Sequence, residues 1–265
     1  MKNFVKRGLR WSLARAGKKL VAADAIVIPD GHRHLGPEWH IFKEDGVASA
    51  HTPAFHQDSE FLAAIDHIRD RQLFDFVENP PTYRLAVAWQ LARAAARVDG
   101  DLLEFGTYRG GFANVFLRAT DSISSHKRLY LYDSFAGIPE NGLTDRERAN
   151  GMSGRYSCTS VVFVREALGR HASRVEFRAG FIPTTLDQSG PDRISFMHVD
   201  LNGAVATRHA LEWAYPRWSL GGICLLDDYL WGGYEDQRQC VESFFSEKQR
   251  QILGLPTGQG IVLNI

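Results

Sequence analysis

Two apolar runs in this chain of 265 residues stop on acids. ISFMHV, residues 194–199, ends at Asp200, and GGICLL, residues 221–226, ends at Asp227 and Asp228. If the runs are neighbouring strands of a parallel sheet, the three carboxylates meet at one edge of it. There they repel one another, and their pKa values climb unless a cation neutralises them. With no basic residue expected from either motif, a bound metal ion has to supply that charge. Oxygen donors without His or Cys favour magnesium, manganese or calcium, and Mg2+ is the ion expected, with remaining positions open to water or a substrate oxygen. The competing assignment makes Asp200 a helix N-cap and places Asp227 and Asp228 in a turn.

A second group of acids stands with glycines. The run DLLEF leads into EFGTYRGGF, residues 104–112, an E-x-G-x-x-x-G spacing rather than the G-x-G-x-x-G of a dinucleotide fold. Gly106 and Gly110 let the turn pass close to a ligand, and Glu104 can receive an ammonium group or anchor the loop through water. A pyrophosphate would be repelled there, which argues against a nicotinamide-dependent oxidoreductase. The next run, RLYLYD, ends at Asp133, the usual place for a carboxylate that accepts both hydroxyls of a ribose. A ligand with a ribose at one end and an ammonium at the other suits both acids, and S-adenosylmethionine is such a ligand. The alternative is that Glu104 and Asp133 only cap the helices that follow them.

The elements that must hold these residues are short apolar strands alternating with helical segments: DLLEF, RLYLYD, RVEFRA, ISFMHVD, GGICLLDD and a terminal GQGIVLNI. Such alternation implies right-handed βαβ units and an α/β fold with a doubly wound, mostly parallel sheet, whose ligand site lies at the carboxyl ends of the strands. Before them come two amphipathic helices. DSEFLAAIDHIRDRQLFDFV opens on an N-cap aspartate, Asp58, and PPTYRLAVAWQLARAAARV opens on prolines. At the amino terminus Val5, Leu9, Leu13, Ala16 and Leu20 form a helical stripe among Lys and Arg residues. That helix is expected to pack on its own domain or a dimer mate, or to dock on a membrane surface. His32 and His34 follow in a loop without an acidic or Cys partner. Residues 1–80 read as a helical and loop extension that serves as a lid, and residues 81–265 as the ligand-binding domain. With 31 basic against 31 acidic residues, no net charge attracts nucleic acid. Three widely spaced cysteines without a CxxC pair, and no signal peptide or membrane-length apolar run, point to the cytoplasm.

In order along residues 101–265, the segments LLEFGTYRGG, LYDSFAGIPE, GFIPTTL, HVDLN, LEWAYPRWSLGG and LLDDY resemble the class I S-adenosylmethionine-dependent methyltransferases. Within that class the resemblance is to the macrocin O-methyltransferase (TylF-like) branch, which methylates sugar hydroxyls. It implies a Rossmann-like seven-stranded sheet and a methyl donor held at Glu104, Gly106, Gly110 and Asp133, with Thr107, Tyr108, Ser134, Gly180 and Phe181 from the same segments completing the donor site. It further implies Mg2+ on Asp200, Asp227 and Asp228, with a glycoside or other small polar hydroxyl compound as acceptor; a homo-oligomer is expected as well.

The acceptor side departs from that pattern. Where family members tend to read D-x-D-L-Y-E-S-T, this chain reads DLNGAVAT, so the second acid is Asn202, the tyrosine is Ala204 and the glutamate is Val205. The second acid looks like the family's general base, and in catechol-type relatives a lysine at the position of Gly203 takes that role. Asp200 and Asn202 are therefore the candidate catalytic residues, although an amide cannot accept the proton. A second reading is a methyltransferase-like protein that binds donor or sugar with little turnover. Acceptor choice is expected from the loop between His32 and His56, from ENGLTDRERANGMSGRYSC, and from YLWGGYED with Tyr229, Trp231 and Tyr234.

Overall fold

The computed structural model describes residues 42–49, 51–75, 80–186 and 189–265. The chain divides into two compact units, Met1–Phe42 with Ser49–His51, and Lys43–Ala48 with Thr52–Ile265. The first unit lies almost wholly outside the described residues, and with it the amphipathic stripe of Val5 to Leu20 and the histidines His32 and His34.

The second unit is built on a seven-stranded sheet. Its strands are β1 (Asp101–Phe105), β2 (Leu129–Asp133), β3 (Val175–Ala179), β4 (Ile194–Val199), β5 (Trp218–Leu226), β6 (Leu253–Gly254) and β7 (Gly260–Leu263), in the spatial order β3-β2-β1-β4-β5-β7-β6. The first five are parallel, and β7 runs antiparallel to both β5 and β6. β6 is two residues long, too short to leave a periodic signal in the sequence. The helices are α1 (Ser59–Asp70), α2 (Thr82–Ala95), α3 (Gly111–Asp121), α4 (Asp145–Ala149), α5 (Val161–Leu168), α6 (Ala204–Ala214) and α7 (Glu235–Glu247). α1 to α3 and α5 bury Phe61, Trp89, Phe116 and Val164 on one face of the sheet, with Leu131, Phe196 and Leu225. α6 and α7 bury Leu211, Phe244 and Phe245 on the other, with Phe105, Val199 and Leu226. Every residue of β4 is buried, as both-face burial of a central parallel strand demands.

Local chemistry sets the helix starts. Asp58 caps α1 by accepting the amide of Phe61 at 3.0 Å, and its other oxygen accepts the indole of Trp89 at 2.9 Å, so one carboxylate fixes α1 against α2. Residues 59–75 thus belong to the sheet-bearing unit rather than to the extension. No helix among the described residues is long and apolar enough to cross a membrane.

The strand order reverses direction between β1 and β4, which opens a crevice at their carboxyl ends. The two backbones nearly touch there. Gly106 has φ +84, and a Cβ on it would stand 1.8 Å from the carbonyl oxygen of Asp200. Gly106→Ala is expected to destabilise the protein by about 3 kcal/mol or more, through backbone strain and displacement of the β4 end. Gly151→Ala, at φ +68 with open space around it, carries only the left-handed backbone cost of about 1–2 kcal/mol. Denaturant unfolding of both variants checks this ordering, and equal losses would contradict it.

Candidate active site

One cleft at the crevice is lined by Gly106, Thr107, Tyr108 and Asp133, by Ser134, Gly180 and Phe181, and by Asp200, Asn202, Asp227 and Asp228. The donor and acceptor residues expected from the sequence therefore share one site. Glu104 and Gly110 stand behind it. Glu104 is 1% exposed within β1, where its Oε2 accepts the Thr107 hydroxyl at 3.1 Å and its Oε1 lies 3.3 Å from Nδ1 of His198. It anchors the loop directly rather than through water. Gly110, at φ 83, starts α3.

Asp133 folds the same loop from β2. Its Oδ2 accepts the amides of Thr107 at 2.7 Å and Tyr108 at 2.8 Å, and its Oδ1 accepts that of Phe135 at 2.6 Å. Oδ1 retains acceptor capacity toward the cleft. Tyr108, Phe135, Tyr156 and Asn202 around the cleft have φ values of 48, 50, 60 and 56°. Four non-glycine residues in the left-handed region store strain of the sort that collects at binding sites.

The acid cluster is more compensated than the sequence suggested. Among the described residues two cations reach it, Arg84 from the first turn of α2 and His198 from β4. Nη1 of Arg84 lies 3.0 Å from Oδ2 of Asp227, and its Nε lies 3.1 Å from Oδ1 of Asp45, in the turn between the short strands Phe42–Glu44 and Val47–Ser49. His198 is fully buried between Glu104 and Asp227, with Nε2 3.7 Å from Oδ1 of Asp227, an ion-pair distance too long for a hydrogen bond. Gln259 donates to the same oxygen at 2.8 Å.

These neighbours set the proton affinities. Burial alone would lower the pKa of His198, but Asp227 and Glu104 outweigh it and lift it to about 10, so the imidazole is a cation at neutral pH. Burial would raise Asp227, but His198, Arg84 and Gln259 hold it below the usual carboxylate range. Asp200 is pushed up to about 7, by burial first and then by Asp227. Asp228 is raised well above the ordinary value by burial and by Asp200 and Asp227. Asp45, Glu104, Asp200, Asp227 and Asp228 still outnumber Arg84 and His198, so the repulsion read from the sequence survives in Asp200 and Asp228.

His198, Asp200 and Asp227 offer ligand atoms all within 4.8 Å of one another. His198 faces a carboxylate from each ring nitrogen, Glu104 at 3.3 Å and Asp227 at 3.7 Å. The unspent donors are carboxylates: Asp228 accepts no side-chain hydrogen bond among the described residues, and Asp200 takes one, from Asn202 at 2.9 Å. The Oδ1 of Asn202 is buried without a hydrogen-bond partner, a further oxygen at the same place. Asp200 caps no helix, since α6 starts after Gly203. Its first amide, at Ala204, is accepted by Oε1 of Glu147 at 2.7 Å, which ties the α4 segment to the acceptor side. The Tyr156 ring, on the cleft wall, packs edge-on against that of Tyr108 with centroids 5.3 Å apart.

Arg84, Asp45, His198, Gln259 and Glu147 went unread in the sequence. His198 carried the one available signal, a titratable residue two positions before Asp200 in an otherwise apolar strand.

Residues 86–253 match the family described as Macrocin-O-methyltransferase (TylF). The 8-demethyl-8-(2,3-dimethoxy-alpha-L-rhamnosyl)-tetracenomycin-C 4'-O-methyltransferase of Streptomyces olivaceus is 32% identical over 143 residues, covering 50% of this chain and 54% of its own. Mycinamicin III 3''-O-methyltransferase of Micromonospora griseorubida is 32% identical over 146 residues, covering 50% and 56%. The chain thus spans about half the length of the curated relatives it matches. The solved O-methyltransferase NovP superposes with a TM-score of 0.62 at 21% identity over 75% of this chain and 88% of its own, a likeness of fold. The calicheamicin methyltransferase CalS11 does so with a TM-score of 0.62 at 16% identity over 80% and 94%. The match over residues 86–253 spans more than half of the chain, which belongs to the macrocin O-methyltransferase (TylF) family.

Proposed function

We propose that the chain is an S-adenosylmethionine-dependent O-methyltransferase that acts on a hydroxyl of a sugar or other small polar acceptor, with Mg2+ on Asp200, Asp227 and Asp228. The observation that carries this reading is the surplus of carboxylate at the ends of β4 and β5, open to the cleft that the Asp133 loop lines. The two relatives named above, from Streptomyces olivaceus and Micromonospora griseorubida, are O-methyltransferases, the first by name for a rhamnosyl compound, which supports a glycoside acceptor. Cys158, Cys224 and Cys240 are all free, which fits a reducing cytoplasm.

A sulfonium donor needs no activation, so the chain's tasks are in-line alignment and removal of the hydroxyl proton. The loop from Gly106 to Tyr108, pinned by Asp133 and Glu104, holds the donor, and Gly180 and Phe181 close its other side. When bound, a divalent ion lowers the pKa of a coordinated hydroxyl, as zinc brings water from 15.7 to about 7, magnesium less so. Asp200 and Asp228, the carboxylates at this edge that Arg84 and His198 do not pair with directly, are the bases the chain offers in place of the missing second acid, one of them doubling as metal ligand and base. Asn202 orients Asp200 through their hydrogen bond and accepts no proton. Its amide favours the second reading, a donor- and sugar-binding protein of low turnover, since a positioned base contributes about 10²- to 10⁴-fold.

Methyl transfer is expected to vanish in EDTA and return with Mg2+, and the thermal midpoint to rise on adding Mg2+ to the parent but not to the Asp227→Asn/Asp228→Asn variant. Full activity in excess chelator contradicts the metal assignment. Asp133→Ala should weaken S-adenosylhomocysteine binding by about 1.5–3 kcal/mol in a calorimetric titration, and an unchanged affinity removes Asp133 from the donor site. Asn202→Asp sets another carboxylate against Asp200. It is expected to lower stability in EDTA, to regain it with Mg2+, and to raise the methylation rate. A folded variant that binds donor and metal yet is no faster than the parent from about pH 6 to 9 shows that proton removal is handled elsewhere.

A further inference from the structure

Arg84 is expensive where it stands. It occupies the first turn of α2, the end of a helix dipole that disfavours cations, and its side chain is 14% exposed. Asp45 and Asp227 offset that cost, but they use only part of the guanidinium. Nε is directed to Asp45 and Nη1 to Asp227, while Nη2 has no hydrogen-bond acceptor among the described residues. Arg84 forms part of the cleft wall. Nη2 is therefore the arm of the fork left for a ligand in the cleft that Arg84 and Asp227 both line. The fork is locked: Asp45 accepts both Nε and the Arg84 amide, the latter at 2.9 Å, and the Trp231 ring packs 5.1 Å from the guanidinium carbon. A clamp between the Asp45 turn and β5 would need neither open donors nor a place in the cleft wall.

We infer that Arg84 is a specificity-determining residue for the acceptor: Nη2 donates to an oxygen adjacent to the hydroxyl that is methylated, so the site selects compounds carrying two neighbouring oxygens. The inference rests on the O-methyltransferase reading above. An anionic acceptor is disfavoured, because Asp200, Asp227 and Asp228 line the same wall; a neutral polyol oxygen accepts from Arg84 without that repulsion. Arginine suits this task better than lysine, since its planar fork spends one arm on Asp227 while holding the other at a fixed angle.

The test is methylation of methyl α-L-rhamnopyranoside and its monodeoxy analogues by the parent and Arg84→Lys, with S-adenosylhomocysteine affinity measured alongside. Arg84→Lys is expected to bind S-adenosylhomocysteine within about twofold of the parent and to raise the acceptor KM about tenfold or more, with a smaller change in kcat. Removing the hydroxyl that Arg84 contacts should cost the parent about tenfold and the variant little, because the two losses delete one hydrogen bond. An unchanged KM, or penalties that simply multiply, overturns the assignment. If Arg84→Lys does not fold, Asp45→Asn, which frees the guanidinium without removing it, carries the same comparison: a smaller KM shift is expected, and penalties that simply multiply again overturn the assignment. A parent that methylates no member of the set contradicts the glycoside reading itself, and the inference falls with it; a parent that methylates one of them confines any failure to Arg84.

Discussion

Carboxylates gathered at the ends of β4 and β5 cannot all ionise away from water without a counter-charge, and much of the surrounding structure answers that constraint. Asp227 receives the full answer: Arg84 on one oxygen, Gln259 and His198 on the other. Glu104 meets the same histidine from the far side, although burial still raises its proton affinity. Asp200 and Asp228 are left with raised proton affinities and oxygens open to the cleft. This is an unfinished electrostatic arrangement, which the divalent cation proposed above would complete.

The sheet makes that arrangement possible at small cost in flexibility. Parallel pairing of β1 with β4 sets Glu104 opposite His198, and pairing of β4 with β5 brings Asp200 beside Asp227 and Asp228. Because β1 and β4 flank the switch point, the loop after β1 is free to turn toward a ligand, and Gly106 lets it do so in contact with the Asp200 carbonyl. The glycine loop and the acid cluster are thus separated by little more than one backbone contact. His198 spans the gap between Glu104, which braces the loop at Thr107, and Asp227, which belongs to the acid cluster.

What the sequence revealed followed from position in regular elements. Asp133, Asp200, Asp227 and Asp228 each terminate an apolar run, and Gly106 sits at the first strand end, so strand periodicity alone places them together. Arg84 left no such trace: it lies 143 residues from Asp227 and 39 from Asp45, on a helix whose role looked structural, and only tertiary packing joins the three. His198 was hidden by its setting, a buried strand read as uniformly apolar. The departure at Asn202 was visible at once. Its φ of 56°, which asparagine tolerates better than most residues, was not, and it gives the residue a backbone role besides any chemical one. The extension before residue 42 belongs to residues the structure does not describe.

The central claim is that the acids of β4 and β5 are gathered for a divalent ion adjoining the donor loop. Titration of Mn2+ into the S-adenosylhomocysteine-loaded protein, followed by loss of the free-ion electron paramagnetic resonance signal, tests it most directly. One bound ion per chain, displaced by Mg2+ and lost in Asp200→Asn, is the predicted result. A free-ion signal that stays undiminished at stoichiometric protein would contradict it.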